Sequence, residues 1–202
     1  MTDARGASAP AAPLLEACEG GLEGDDDIVQ ALQRGDRRNA LALCVRRHAL
    51  SIGRVCMAML GSQTDADDVS QETLLTAHLC FADFRGEGSV RAWLLGIARN
   101  KCLRHLEKNR RRGAHLRLVP DAETVATAEE LLGANKRAER ARALLDRVRP
   151  SDRDALLLRY SADLTFKEVA LVCGIAETAA RKRVSRALLE LRRVLEEENA
   201  DD

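Results

Sequence analysis

The sequence predicts an all-α protein: two small helical domains joined by a flexible linker, the second carrying a helix-turn-helix. Three observations lead there. Of 202 residues, 46% are apolar, 2% aromatic and 32% charged, which describes soluble helices around a core of Leu, Ala, Val and Ile. Apolar residues recur at three- and four-residue steps, and no strand pattern runs beyond a few residues. Near the C-terminus, Gly174 separates two helical patterns at a point where a sharp turn needs a positive φ.

The elements follow in order. Residues 1–24, rich in Ala, Gly, Pro and acidic groups, read as a disordered acidic tail. Asp25–Asp27 then supply a cap for a helix beginning at Ile28. A long helix from about Arg37 to Leu60 carries Leu41, Val45, His48, Ile52, Val55 and Met59 on its apolar side, with His48 as a packing residue. Gly61-Ser62-Gln63 breaks it. Thr64, with Asp67 at the third position, is expected to cap the next helix, which runs to about Cys80. After the loop FADFRGEGS, Ser89 caps a helix through about Arg112. Trp93, Leu94 and Ile97 lie on one side of it and Leu95, Cys102 and Leu106 on another, so it should be wedged centrally.

Residues 113–133 lose periodicity, contain Pro120 and read as the linker, which puts the first domain at 25–112. The second domain, 134–197, has helical patterns at about 135–148, 152–160, 166–173 and 177–197, followed by an acidic tail at 198–202. Pro150 should end the first of these helices, and Ser151 with Asp154 should cap the second. Thr165 and Glu168 form a capping box for the third, with Leu164 stapled onto Val169.

The net charge is zero, but the charges are segregated. Residues 1–27 hold one basic and seven acidic groups, and 113–133 hold one and four. Residues 28–112 hold 15 basic and 8 acidic groups, and 134–195 again hold 15 and 8. One basic block reads most simply as a solvated surface; two separated blocks suggest two contacts with a polyanion.

Enzyme chemistry finds no support. There is no Gly-rich phosphate loop, no H-E-x-x-H and no C-x-x-C among the six cysteines, so no cofactor or metal is expected. Cys102 and His105 offer two ligands at most, and the cysteines read as small buried apolar side chains in a reducing compartment. No apolar stretch approaches the roughly 20 residues of a membrane helix, and the N-terminus lacks a secretory pattern. A cytoplasmic protein with no membrane insertion is the expectation.

Three surfaces carry the functional signal. In TDADDVSQETLLTAH, Asp65, Asp68 and Glu72 fall within about 60° of one another on a helix, with Gln71 and Leu75 beside them. That strip is either a solvated face or a dock for a basic partner. Arg99, Lys101, Arg104, Lys108, Arg110, Arg111 and Arg112 crowd one helix beside Phe81 and Phe84. Cations beside aromatics suit single-stranded nucleic acid, although both phenylalanines could instead be core. In the last helix Thr178, Lys182, Ser185 and Arg186 share a polar face with Arg181 at its edge. The opposite stripe holds Ala180, Val184, Ala187, Leu188, Leu191 and Leu195, so this helix is expected both to pack and to enter a major groove.

DADDVSQETLLTAH, FADFRGEGSVRAWLLGIARNKCLRHLEKNRRR and LLDRVRPSDRDALLLRYSADLTFKEVALVCGIAETAARKRVSRALLELR, in this order and separation, closely resemble the extracytoplasmic-function sigma factors of bacterial RNA polymerase. The resemblance implies a non-enzymatic factor that binds core RNA polymerase and promoter DNA, with an anti-sigma factor as a further candidate partner. It implies that Asp65, Asp68, Gln71 and Glu72 dock on the polymerase clamp. Phe84, Arg85, Gly86 and Ser89 would form the loop that receives a flipped minus-ten base, with Asn100 beside the pocket and Arg99, Lys101 and Arg104 on its DNA track. Thr178, Arg181, Lys182, Ser185 and Arg186 would face the minus-thirty-five element.

Overall fold

The computed structural model describes residues 24–84, 88–111 and 139–200. The expected N-terminal tail up to residue 23, the linker at 113–133 and the last two residues lie outside them, as do Arg85, Gly86 and Arg112. Among the described residues all regular structure is helical: α1 Asp26–Gln33, α2 Arg37–Leu60, α3 Gln63–Cys80, a 3₁₀ turn Phe81–Asp83, α4 Val90–Arg111, α5 over residues 139–146, α6 Pro150–Tyr160, α7 Phe166–Cys173 and α8 Glu177–Ala200.

The expected wedge is α4. It packs on α2 and α3 within the first module and on α7 of the second. Val90, Ala92, Leu94, Leu95, Gly96, Ala98 and Cys102 are all buried, which covers far more than one stripe of the helix. Each fully buried leucine contributes roughly 1.5–3 kcal/mol. In the second module α6 and α7 pack on α8. Contacts of α4 with α7 and of α2 with α6 join both modules into one continuous core.

Several local expectations hold. The Thr165–Glu168 capping box is complete, and Gly174 ends α7 in the left-handed region at φ 65°. Leu164 and Val169, on either side of the cap, are both fully buried. Ser89 Oγ accepts from the Ala92 amide at 3.1 Å, which caps α4. Cys44, Cys56 and Cys102 are buried, and burial pushes the Cys44 thiol up to about 12.

Other caps differ. Ser62, in an extended conformation, caps α3 by accepting from the Asp65 amide at 3.3 Å, two residues before the expected Thr64. Pro150 does not end a helix; it opens α6, where a missing N–H costs nothing and the fixed φ suits the first turn. Ser151 and Asp154 accordingly are not its caps: the N-cap position is Arg149, and Asp154 reaches into the first module.

Asp25 stands at the N-cap of α1 but makes no side-chain cap bond. Its carboxylate instead accepts from His48 Nε2 at 2.9 Å and from Arg47 at 3.2 Å, which ties α1 to α2 and satisfies the buried His48. Burial alone would raise the Asp25 pKa, but the bonds from His48 and Arg47 outweigh it and hold the carboxyl below 3.8. A depressed carboxylate stabilises the fold above its unfolded pKa and loses that contribution as pH falls through the folded one. The stability of the wild type should therefore exceed that of Asp25→Asn by about 1–3 kcal/mol at neutral pH. The gap should close as pH falls below about 4 in paired thermal melts; a constant gap would show that the tie does not depend on charge.

Candidate polymerase and nucleic-acid interfaces

On α3, burial of Ala66, Val69, Thr73 and Ala77 turns the acidic strip outward. Asp68, Gln71 and Glu72 are exposed, while Asp65 is half-buried with its Oδ1 3.3 Å from His105 Nε2. Glu72 meets Lys101 Nζ at 3.2 Å. Asp68 has no ionic or hydrogen-bonding partner among the described residues. The line continues through Leu75 and Leu79, which are 63% and 75% exposed. An exposed stripe in which acidic residues run on into two leucines at helical steps is unusual for a merely solvated face. Leu79 escaped the sequence reading, although its four-residue step from Leu75 was there to see.

The second surface is built around Trp93. Phe81 is buried and stacked on the indole at 5.8 Å, while the half-buried Phe84 leans on it at 5.3 Å with a 54° tilt. Phe81 is thus core, and Phe84 is a ledge supported from below. Asn100 is half-buried and Arg104 exposed on α4. Farther along, Arg110 and Arg111 both clasp Glu107 and hold its carboxyl down at about 2, while Arg104 and Lys108, which line a shallow groove with Leu103 and Glu107, have no ionic partner among the described residues.

Two residues expected to touch DNA are engaged by the second module. Ser89 Oγ donates to Glu168 Oε1 at 2.6 Å, while the other oxygen of Glu168 completes the α7 capping box. Arg99 Nη2 donates to Asp154 Oδ2 at 3.0 Å, with both side chains largely buried. Burial raises the Asp154 pKa, and Arg99 opposes the shift. Arg99 Nε is itself buried without a hydrogen-bond partner among the described residues. Arg91 also donates to the Ala162 carbonyl across the same junction.

The third surface is α8. Its buried stripe is Ala180, Val184, Ala187 and Val194, with Leu191 partly buried. Leu188 and Leu195, expected in that stripe, are 44% and 38% exposed. They stand about 60–80° from its centre, beyond the reach of α6 and α7. Thr178, Lys182 and Ser185 are exposed on the opposite face with no partner among the described residues. Arg181 lies over the Phe166 ring at 4.5 Å and pairs with Glu177. Arg186 forks onto the buried Asp152 of α6 at 2.9 and 3.0 Å.

Comparison with known proteins identifies the family. The Sigma-70 region 2 model matches residues 44–112 and the Sigma-70 region 4 model residues 138–191. The sigma factor EcfG of Rhodopseudomonas palustris is 31% identical over 75% of this chain and 83% of its own. The chain is an extracytoplasmic-function sigma factor. SigC of Mycobacterium tuberculosis is likewise 31% identical, over 81% of this chain and 89% of its own. Among solved structures, CnrH in complex with the cytosolic domain of CnrY matches this sigma factor with TM-score 0.68 and 25% identity, over 88% of this chain and 99% of that one. RpoE of Bartonella quintana, solved with the anti-sigma factor NepR, shares the fold with TM-score 0.56 at 18% identity.

The protein therefore binds core RNA polymerase and promoter DNA and directs initiation; it is an initiation factor and not an enzyme. No helix among the described residues is long and apolar enough to cross a membrane.

Proposed function

We propose that this sigma factor, acting in the cytoplasm, divides its work at the two family matches. Residues 25–112 dock on the polymerase clamp through Asp65, Asp68, Gln71 and Glu72 and open the minus-ten element; residues 134–197 read the minus-thirty-five element; 113–133 tether the two. The exposed acidic-leucine stripe on α3 carries this reading, because a solvated helix face needs neither Leu75 nor Leu79. Phe84 and Asn100 receive an unpaired base, with Arg85, Ser89, Arg99, Lys101 and Arg104 on its track. Thr178, Arg181, Lys182, Ser185 and Arg186 face the minus-thirty-five groove. CnrH is solved with CnrY and RpoE with an anti-sigma factor, so a protein of that kind is the natural inhibitory partner here.

Ser89 and Arg99 cannot contact DNA while Glu168 and Asp154 hold them. Promoter engagement in this reading therefore requires the two modules to part at the α4–α7 contact.

Factor-dependent run-off transcription with purified core polymerase tests the assignment as a whole. Within it, Phe84→Ala and Asn100→Ala should each lower transcription from duplex promoters. Base–aromatic stacking is worth about 1–3 kcal/mol, so the Phe84 effect should be roughly 5- to 150-fold. A template with a pre-melted minus-ten region should restore most of the Phe84→Ala loss. Equal loss on both templates would remove Phe84 from strand opening.

A further inference from the structure

We propose that Asp152 is a specificity-determining positioning residue, which aims Arg186 of α8 so that its outer edge reads a guanine in the minus-thirty-five element. The inference rests on α8 being the base-reading helix.

Asp152 lies in the first turn of α6 and is 2% exposed, whereas the Arg186 side chain is 56% exposed. A buried carboxylate on one helix therefore anchors an arginine that projects from the exposed face of another. The anchoring atoms decide what remains. Arg186 Nε donates to Asp152 Oδ2 at 3.0 Å, and Nη2 donates to Oδ1 at 2.9 Å. A guanidinium has five N–H groups in a rigid plane. Asp152 takes the Nε–H and one Nη2–H, leaving both hydrogens of Nη1 and the second of Nη2. Two of those three, one from each terminal nitrogen, run parallel along the end edge that Asp152 leaves open, and the second Nη1 hydrogen points back toward the Cδ side. Guanine offers O6 and N7 as a matching pair of acceptors in the major groove.

Both oxygens of Asp152 are committed to Arg186, with Ser151 Oγ a distant third neighbour at 3.4 Å. The carboxylate thus does more than neutralise a charge. It fixes the plane of the guanidinium, which on an unanchored exposed arginine would be spread over many rotamers. Lys182, one turn nearer the start of α8, and Ser185, the residue before Arg186, have no such anchor among the described residues. Arg181 is held too, but by the Phe166 ring and Glu177 of its own helix; among the described residues of this face only Arg186 is forked by a buried carboxylate.

The experiment is transcription by reconstituted holoenzyme from promoter libraries randomised across the minus-thirty-five element. Full-length wild type is compared with Arg186→Ala, Asp152→Asn, their double variant, Arg186→Lys and Lys182→Ala. Arg186→Ala should lower the preference for guanine at one base pair by about tenfold. Asp152→Asn should lower the same preference at the same base pair, and the double variant should lower it no further. A merely structural Asp152 would reduce the melting temperature and total transcription but leave that preference intact, and this result would overturn the proposal. If Asp152→Asn fails to fold, Arg186→Lys decides, since it keeps the charge but has neither the fork nor the parallel edge. Retained guanine preference in Arg186→Lys would overturn the proposal. Changed preference in Lys182→Ala with none in Arg186→Ala would sink this inference alone, whereas no change in either would sink the base-reading role of α8 and this inference with it.

Discussion

Asp68→Arg is expected to abolish binding to core polymerase while leaving the helical content and melting temperature of the sigma factor unchanged. Asp68 is exposed in the second turn of α3 and has no partner among the described residues, so its replacement breaks nothing inside the fold. Surface changes of that kind stay within about 0.5 kcal/mol. The interface is a different case. Exposed ion pairs are worth only about 0–1 kcal/mol, but Asp68 lies on the same exposed stripe of α3 as Leu75 and Leu79, and a partner that covers the stripe would desolvate the charge. Reversing a charge there replaces attraction by repulsion and costs several kcal/mol. At 1.4 kcal/mol per factor of ten, the loss is roughly 100- to 1,000-fold in affinity. Glu72→Arg should cost less, because Glu72 already shares its charge with Lys101 at 3.2 Å. Competition for core enzyme against the wild-type factor measures both. Co-purification of Asp68→Arg at wild-type yield would mean that α3 is not the docking face.

How much of this was legible in the sequence depends on the distance over which each feature is decided. Helix bounds were read correctly where the stop and start chemistry is local. The Thr165–Glu168 box and Gly174 bracket α7 at Phe166–Cys173, as expected. In GSQTD two hydroxyls compete for the cap of α3, and only the extended backbone at Ser62 decides between them. Pro150 is compatible with either end of a helix, since its missing N–H is spare in a first turn and fatal in an interior. The partners of the functional residues were not legible at all. Asp152 meets Arg186, Asp154 meets Arg99 and Glu168 meets Ser89 across 34, 55 and 79 residues. Helical spacing fixes which side of its own helix a residue occupies, but not what another helix brings to it. Asp154 therefore reads as a cap in the sequence, although it holds Arg99, and nothing in the sequence marks Asp152 as the holder of Arg186.

Trp93→Ala is expected to damage both the stability and the function of the first module, for a reason that links core to function. The indole stacks on buried Phe81 at 5.8 Å and carries Phe84 at 5.3 Å on the same ring system. Its removal leaves a void beneath Phe81 and takes away the support that holds Phe84 at the surface. Truncating a tryptophan to alanine in a core costs about 3–5 kcal/mol, and the half-buried position of Trp93 puts the expected loss near the lower figure. A stability change of that size is a large fraction of what a small domain possesses, so the thermal transition should fall by well over 10 °C. Function should suffer beyond stability. At a temperature where the variant is still folded, transcription from a duplex promoter should drop at least as far as in Phe84→Ala, since an unsupported ring cannot offer a fixed stacking surface. Trp93→Phe separates the two consequences: it keeps an aromatic contact for Phe81 but not the full width of the indole. Recovery of most of the stability with a persistent defect in opening would show that the indole sets the position of Phe84. Full recovery of both would reduce Trp93 to a filler of the core, and a folded Trp93→Ala with normal opening would show that Phe84 needs no support from it.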